Sequence, residues 1–189
     1  GDGMNRLFIA LPIDEAIIQN LLPVHDVLGN FADVVKVVEP SQYHLTLKFI
    51  GECEGSIARA IEHEFTQLSL PITRFDYTVK DIGMFPNIKH PAVIWTGIHT
   101  DERALSQMVT STQIFAKKFG IKEEVRSFVP HLTLARIRKG RKLTEKINDT
   151  LQPFTSMEFG SATFNRIVLF SSKLTPQGPV YTPLQEIRL

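Results

Sequence analysis

The chain has 189 residues, 43% hydrophobic and 22% charged, which is enough apolar material to build a proper core in a single domain. Lys and Arg total 21 against 20 Asp and Glu, a formal charge of +1; this excludes a global polyanion-coating field and confines any nucleic-acid site to a local patch. The one cysteine, Cys53, excludes an internal disulfide framework and a cysteine-rich zinc site, and it suits a reducing, cytoplasmic compartment.

No apolar run approaches the roughly 18 to 20 residues of a membrane helix, and no basic segment followed by an apolar one opens the chain. Gly1 to Gly3, ahead of Met4, read as an expression scar, leaving residues 4–189 as one domain, expected to be two-lobed. Leu7 to Leu11, closed by Pro12, predicts a buried first strand. Asp14 then caps a helix carrying Ile17, Ile18, Leu21 and Leu22 at helical spacing, with Pro23 an obstacle to its continuation. Val34 to Val38 predicts a brief strand, Pro40-Ser41 breaks it, and Tyr43 to Gly51 reads as the next. A helix over Ser56 to Leu68 follows, with Ile57, Ile61, Phe65 and Leu68 on its buried face.

Phe75 to Phe85 and Ala92 to Ile98 are rich in β-branched and aromatic residues and read as a hairpin, turned at Asn87 to Pro91. Asp101 to Phe119 is the clearest helix, with Leu105, Val109, Thr112, Phe115 and Ala116 along one side and Gly120 as its C-cap. Further strands are expected at His131 to Ile137, at Phe159 to Phe170 as one or two, and at Val180 to Leu189. Strands and helices mix without regular βαβ alternation, so the fold class is α+β with mostly antiparallel sheets. No Gly/Ser or Pro-rich linker and no low-complexity segment divides the chain.

One tetrapeptide repeats. His44-Leu45-Thr46-Leu47 recurs as His131-Leu132-Thr133-Leu134, each in a segment already expected to be a strand. Successive strand side chains face opposite ways, so His and Thr of each copy share one face while the leucines face the core. Two such strands brought together would put two imidazoles and two hydroxyls into one pocket. That is a set suited to metal-free phosphoryl chemistry. A neutral histidine takes a proton from water and a protonated one delivers a proton to the leaving oxygen, each step worth roughly 10²- to 10⁴-fold. An unperturbed imidazole pKa of about 6.5 lets both forms exist near neutrality. The hydroxyls donate to non-bridging phosphate oxygens, where transition-state charge develops. For either copy alone, the competing reading is a structural, hydrogen-bonded strand histidine.

With these flanks the chain is identified as a member of the 2H phosphoesterase superfamily and resembles the RNA 2′,3′-cyclic phosphodiesterases once called 2′-5′ RNA ligases. The likeness runs from Arg6-Leu7-Phe8-Ile9-Ala10-Leu11 through His44-Leu45-Thr46-Leu47-Lys48-Phe49-Ile50-Gly51-Glu52 and Gly83-Met84-Phe85-Pro86 before Trp95. It continues through Pro130-His131-Leu132-Thr133-Leu134-Ala135-Arg136 to Gly178-Pro179-Val180-Tyr181. The resemblance implies a two-lobed, pseudo-twofold fold with helices packed outside and a central cleft holding the phosphate between one His-x-Thr-x motif per lobe. It further implies hydrolysis of an RNA 2′,3′-cyclic phosphate end to a 2′-phosphomonoester, with no metal or organic cofactor and no obligate protein partner. His44 and His131 are then the catalytic pair, His44 taken as acid and His131 as base, and Thr46 and Thr133 are the phosphate donors. Two departures are visible: Val37 where relatives often carry a tryptophan, and Ser171-Ser172 where they often carry Glu-Ser.

Arg136 resembles the family's arginine after the second motif and is a candidate substrate contact. It lies five residues from His131, so an ideal pleat would turn it to the opposite face, and it shares the cleft only if the strand is distorted. Arg138, Lys139, Arg141 and Lys142 are either a grip on the RNA backbone or a solvated turn. Phe85 and Tyr181 are either base-stacking or packing residues. His25, His63, His90 and His99 are expected in surface or helper roles, and Cys53 as a bystander thiol. No HExxH, P-loop or GxGxxG pattern is present, so metalloprotease, ATP and dinucleotide chemistry have no support. The alternatives kept beside the cyclic phosphodiesterase are a 2′-5′ RNA ligase, a small cyclic-nucleotide phosphodiesterase and a non-catalytic RNA-end-binding module.

Overall fold

The computed structural model describes residues 5–71, 73–86, 91–124 and 129–189. Gly1 to Gly3, His90 and residues 87–90 of the expected hairpin turn lie outside the described residues. The elements in order are β1 (Asn5–Pro12), α1 (Glu15–Gly29), β2 (Val35–Val37), β3 (His44–Cys53), α2 (Gly55–Phe65), β4 (Phe75–Phe85) and β5 (Val93–Thr100). They continue with α3 (Glu102–Lys117), β6 (His131–Ile137), α4 (Glu145–Leu151), β7 (Glu158–Phe164), β8 (Arg166–Thr175) and β9 (Gly178–Arg188), and a short 3-10 turn, Pro40–Gln42, leads into β3.

Local chemistry accounts for most boundaries. The Asp14 carboxylate accepts the Ala16 N–H at 2.9 Å and starts α1. The helix runs on through Pro23 because that residue sits on the exposed side, where water can reach the Gln19 carbonyl that the proline leaves unbonded. Asp101 caps α3 by accepting the N–H groups of Arg103 and Ala104. Its C-cap is Lys118, and Gly120 lies two residues further on at a φ of +79°, which a missing Cβ permits.

Two expectations are corrected. The buried stripe of α2 is Ala58, Ile61 and Phe65, while Ile57 is 38% exposed, because the helix starts at Gly55 and its phase turns Ile57 outward. Nor does the expected order of elements contain α4, which spans only seven residues and is started by Thr144, whose hydroxyl accepts from the Ile147 N–H.

The fold is α+β with two antiparallel sheets, ordered β3-β1-β8-β9 and β2-β6-β5-β4-β7. The unit β1-α1-β3 is matched by β5-α3-β6, and each motif strand pairs with the first strand of its own unit. Each sheet is then extended by the other half of the chain: β8 joins β1, and β4 joins β5. Neither half owns a complete sheet. One continuous apolar core accordingly includes Leu7, Leu45, Leu47, Leu132, Leu134, Phe65 and Phe115. A second, small cluster of Phe8, Ala10, Val168 and Phe170 lies apart from it, with Tyr181 packed on it.

Candidate active site

The alternation predicted for the two motifs holds over the first four residues of each. Leu45, Leu47, Leu132 and Leu134 are all buried, and His44, Thr46, His131 and Thr133 are partly exposed. Beyond that point both strands break step in the same way. Ile9 pairs with Lys48 but Ala10 pairs with Thr46, so Leu47 is an extra residue in β3. Ile94 pairs with Ala135 but Trp95 pairs with Thr133, so Leu134 is the extra residue in β6.

A one-residue bulge reverses the facing of everything after it. Lys48 and Ala135 therefore turn inward, at 3% and 0% exposure, and the fifth residue after each histidine returns to the motif's open face. In β6 that residue is Arg136, whose membership of the site hung on such a distortion. In β3 it is Phe49, which is 57% exposed.

The two open faces meet at one cleft of about 660 Å³. All five residues singled out from the sequence line it: His44, Thr46, His131, Thr133 and Arg136. Phe85 and Tyr181 line it too, each backing one imidazole. Tyr181 and Phe170 lie 5.6 and 4.5 Å from His44 by ring centroids, and Phe85 meets His131 edge-on at 5.2 Å. Phe85 is itself stacked on Trp95 at 5.0 Å. Trp95 stands opposite Gly83 in the β4–β5 ladder, and a Cβ there would overlap the indole, so glycine makes room for the ring that props the second motif.

The two histidines sit in different surroundings. His131 Nδ1 is 2.7 Å from the Val129 carbonyl, so this nitrogen is the donor and Nε2 is left with a lone pair. His44 Nδ1 is buried without a hydrogen-bond partner. Burial lowers the His44 pKa to about 4; the Gln42 backbone opposes this and the charge of Arg166 adds to it. His44 is neutral in the free protein at pH 7.

Several lining residues escaped the sequence reading. Lys36 of β2 lies directly opposite Arg136 in the β2–β6 ladder and lines the cleft. Gln113 of α3 lines the cleft and has a buried Oε1 without a partner. Lys48 donates from Nζ to the Lys122 carbonyl at 2.8 Å, tying β3 to the segment after α3. For Lys36 a signal existed, a lone cation in a Val-Lys-Val strand, but nothing in the sequence tells which strand it pairs with.

Other candidates fall elsewhere. Arg138 donates from Nε to the Ala32 carbonyl at 2.7 Å, Arg141 pairs with Asp33 at 3.2 Å, and none of residues 138–142 lines the cleft. His25, His63 and His99 are also outside it, and Cys53 is a buried thiol whose pKa burial raises. Among the described residues, no three His, Cys, Asp or Glu side chains cluster as metal ligands would. No helix of the described residues is long and apolar enough to cross a membrane.

Known proteins resemble this chain over nearly its whole length. The family model described as LigT like Phosphoesterase matches it twice, over residues 11–95 and 98–181, one match per motif. The RNA 2′,3′-cyclic phosphodiesterase of Methanothermobacter thermautotrophicus is 32% identical over 184 residues, covering 97% of this chain and 98% of that protein. The protein of the same name from Archaeoglobus fulgidus is 33% identical over 181 residues, covering 95% and 98%. Among solved structures, one from Thermus thermophilus superposes with a TM-score of 0.75 at 26% identity over 97% of each chain. Escherichia coli LigT complexed with 3′-AMP shares the fold, with a TM-score of 0.73 at 23% identity over 98% of each chain.

Proposed function

The chain belongs to the LigT-like phosphoesterase family, and we propose from this and from the cleft that it hydrolyses RNA 2′,3′-cyclic phosphate ends through His44 and His131. The carrying observation is that both imidazoles and both threonine hydroxyls of the repeated motif line one cleft. The working unit is the single two-lobed domain over residues 4–189, acting in the cytoplasm in RNA processing, with the RNA end as its partner.

Water attacks the phosphorus of the cyclic diester, and the bond from phosphorus to O3′ breaks. His131 accepts the water proton at Nε2, the nitrogen that its Val129 hydrogen bond leaves free. His44 delivers a proton to O3′, so the products are a 2′-phosphomonoester and a 3′-hydroxyl. A histidine with a pKa of about 4 is short of that proton in the free protein. The bound phosphate anion supplies the remedy, because an opposite charge within a few ångströms favours the imidazolium. Thr46 and Thr133 donate to the non-bridging oxygens, and Arg136 meets substrate charge at the end of β6. Phe85 and Tyr181 hold the two imidazoles in place.

The deciding experiment is incubation with an RNA oligonucleotide ending in a 2′,3′-cyclic phosphate, in excess chelator, with the product's phosphate position identified. The expected product is the 2′-phosphate, and His44→Ala and His131→Ala should each lower turnover by roughly 10²- to 10⁴-fold while the protein stays folded. Full activity in both variants refutes the mechanism. Binding without turnover assigns an RNA-end-binding module, and turnover confined to mononucleotides assigns a small cyclic-nucleotide phosphodiesterase. Joining of RNA ends assigns a ligase.

A further inference from the structure

The sheet β3-β1-β8-β9 brings together residues that its ladder holds far apart. His44 opens β3 opposite Pro12, the last residue of β1. Tyr181 lies opposite Ser172, which faces Arg6 and through it Glu52, near the other end of β3. Flat, the two outer strands would stand three spacings apart, roughly 14 Å, and these two rings further still. Their centroids are 5.6 Å apart. The sheet is therefore coiled, and two diagonal corners fold over its open face. Irregularities of register at Leu7/Phe8, Ile9/Ala10 and Leu169/Phe170 add to the twist that this requires.

A hydrogen bond joins the two corners. Gln42, the last residue of the 3-10 turn ahead of β3, donates from Nε2 to the Pro179 carbonyl of β9 at 2.6 Å. β3 and β9 are the two outer strands, so no ladder connects them. Both residues line the cleft, together with His44 and Tyr181. The bond thus acts on both sides of one imidazole: Gln42 stands two residues ahead of His44, and Pro179 two residues ahead of the tyrosine that packs on it.

The second motif shows why such a bond matters. There the residue two places ahead of the histidine, Val129, fixes the ring directly by holding Nδ1 at 2.7 Å. His44 Nδ1 has no such partner, and its ring is oriented by the packing of Phe170 and Tyr181. Its aim then depends on what keeps β9 against the start of β3. We propose that Gln42 is a positioning residue for His44, latching the two corners of the coiled sheet so that Tyr181 stays on the imidazole and water stays out. The proposal takes His44 as the proton donor and so rests on the cyclic-phosphodiesterase reading above.

The test compares the unsubstituted protein with Gln42→Met, which keeps the bulk and loses the donor, and with Gln42→Asn, which keeps the amide and loses the reach. On an oligonucleotide ending in a 2′,3′-cyclic phosphate, kcat should fall about tenfold in both, with KM changed less than about twofold; a misplacement of about 1 Å can cost roughly 10²-fold. In a Tyr181→Ala background the ring that Gln42 holds is gone, and Gln42→Met should cost no more than about twofold further. An unchanged kcat, a change confined to KM, or a full tenfold loss in the Tyr181→Ala background overturns the latch. NMR titration of the free protein needs no turnover. The His44 pKa, about 4, should rise by about one unit in Gln42→Met as water reaches the ring, and the nuclear Overhauser contact between Tyr181 and His44 should weaken. Glu15, Tyr43, Arg166 and Tyr181, the titratable groups around this imidazole, are common to both proteins. If the unsubstituted protein turns over no cyclic phosphate, it is the cyclic-phosphodiesterase reading that fails. The latch is then decided by the titration alone: a His44 pKa unchanged within about 0.3 and an intact contact to Tyr181 overturn it, and the rise upholds it.

Discussion

Acidification should unfold this protein partly through one imidazole. His44 titrates near 6.5 in an unfolded chain and near 4 in the folded protein, where burial disfavours its charge. Between those values the unfolded state holds the extra proton, so stability rises with pH across the window. The contribution of a neutral His44 is complete above about 6.5 and is lost as the pH falls through about 4. At about 1.4 kcal/mol per pH unit, the interval corresponds to about 3 kcal/mol. That is a large share of a typical domain's stability. The assay is urea unfolding at pH 7, 6, 5 and 4 for the unsubstituted protein and for His44→Gln, which keeps a polar side chain but cannot titrate. Carboxylates and the remaining histidines titrate alike in both proteins and cancel in the difference. The unsubstituted protein should lose about 3 kcal/mol more than His44→Gln between pH 7 and pH 4. Stability curves that stay parallel within about 0.5 kcal/mol over that range would refute the claim that folding suppresses this proton.

The same imidazole should answer to ligand. In NMR titrations the His44 ring should show a pKa of about 4 in the free protein and a higher one with inorganic phosphate or a 2′-nucleotide present; a ligand-independent value contradicts the role given to the bound anion. Thr46→Val and Thr133→Val should each reduce kcat by about 10- to 10³-fold with smaller changes in KM, the pattern of hydroxyls that matter most in the transition state. A change confined to KM would make them ground-state contacts. Gly83→Ala should cost about 1 to 3 kcal/mol in chemical denaturation, because the added methyl overlaps the Trp95 indole. It should also lower kcat by moving the Phe85 and Trp95 rings behind His131, and a variant of unchanged stability would show that the indole has room to shift.

The period-2 pattern was enough to read His44, Thr46, His131 and Thr133 as cleft-facing and their leucines as core, since a strand's alternation is fixed locally by its pleat. Elements with strong local signals were equally legible. Asp14 and Asp101 announce their helices through a carboxylate two or three residues from the N–H groups it accepts. Short elements were not. The seven residues of α4 are too few to show a period, and in α2 the buried position at the start of the stripe is the small Ala58 and not its apolar neighbour Ile57.

What the sequence determined by itself was the set of groups: two copies of an imidazole, a hydroxyl and an apolar anchor, each on a strand. Tertiary structure decided three further things. It placed a bulge at Leu47 and at Leu134, which turns Phe49 and Arg136 into the cleft and buries Lys48 and Ala135. It exchanged β4 and β8 between the two halves, so that each motif's sheet is completed by the other half. It set β2 beside β6, which opposes Lys36 to Arg136. All three are matters of which strand pairs with which, and in what register. Such pairings are fixed by contacts between residues distant along the chain, whereas the facing of a side chain within its own strand is fixed by its immediate neighbours.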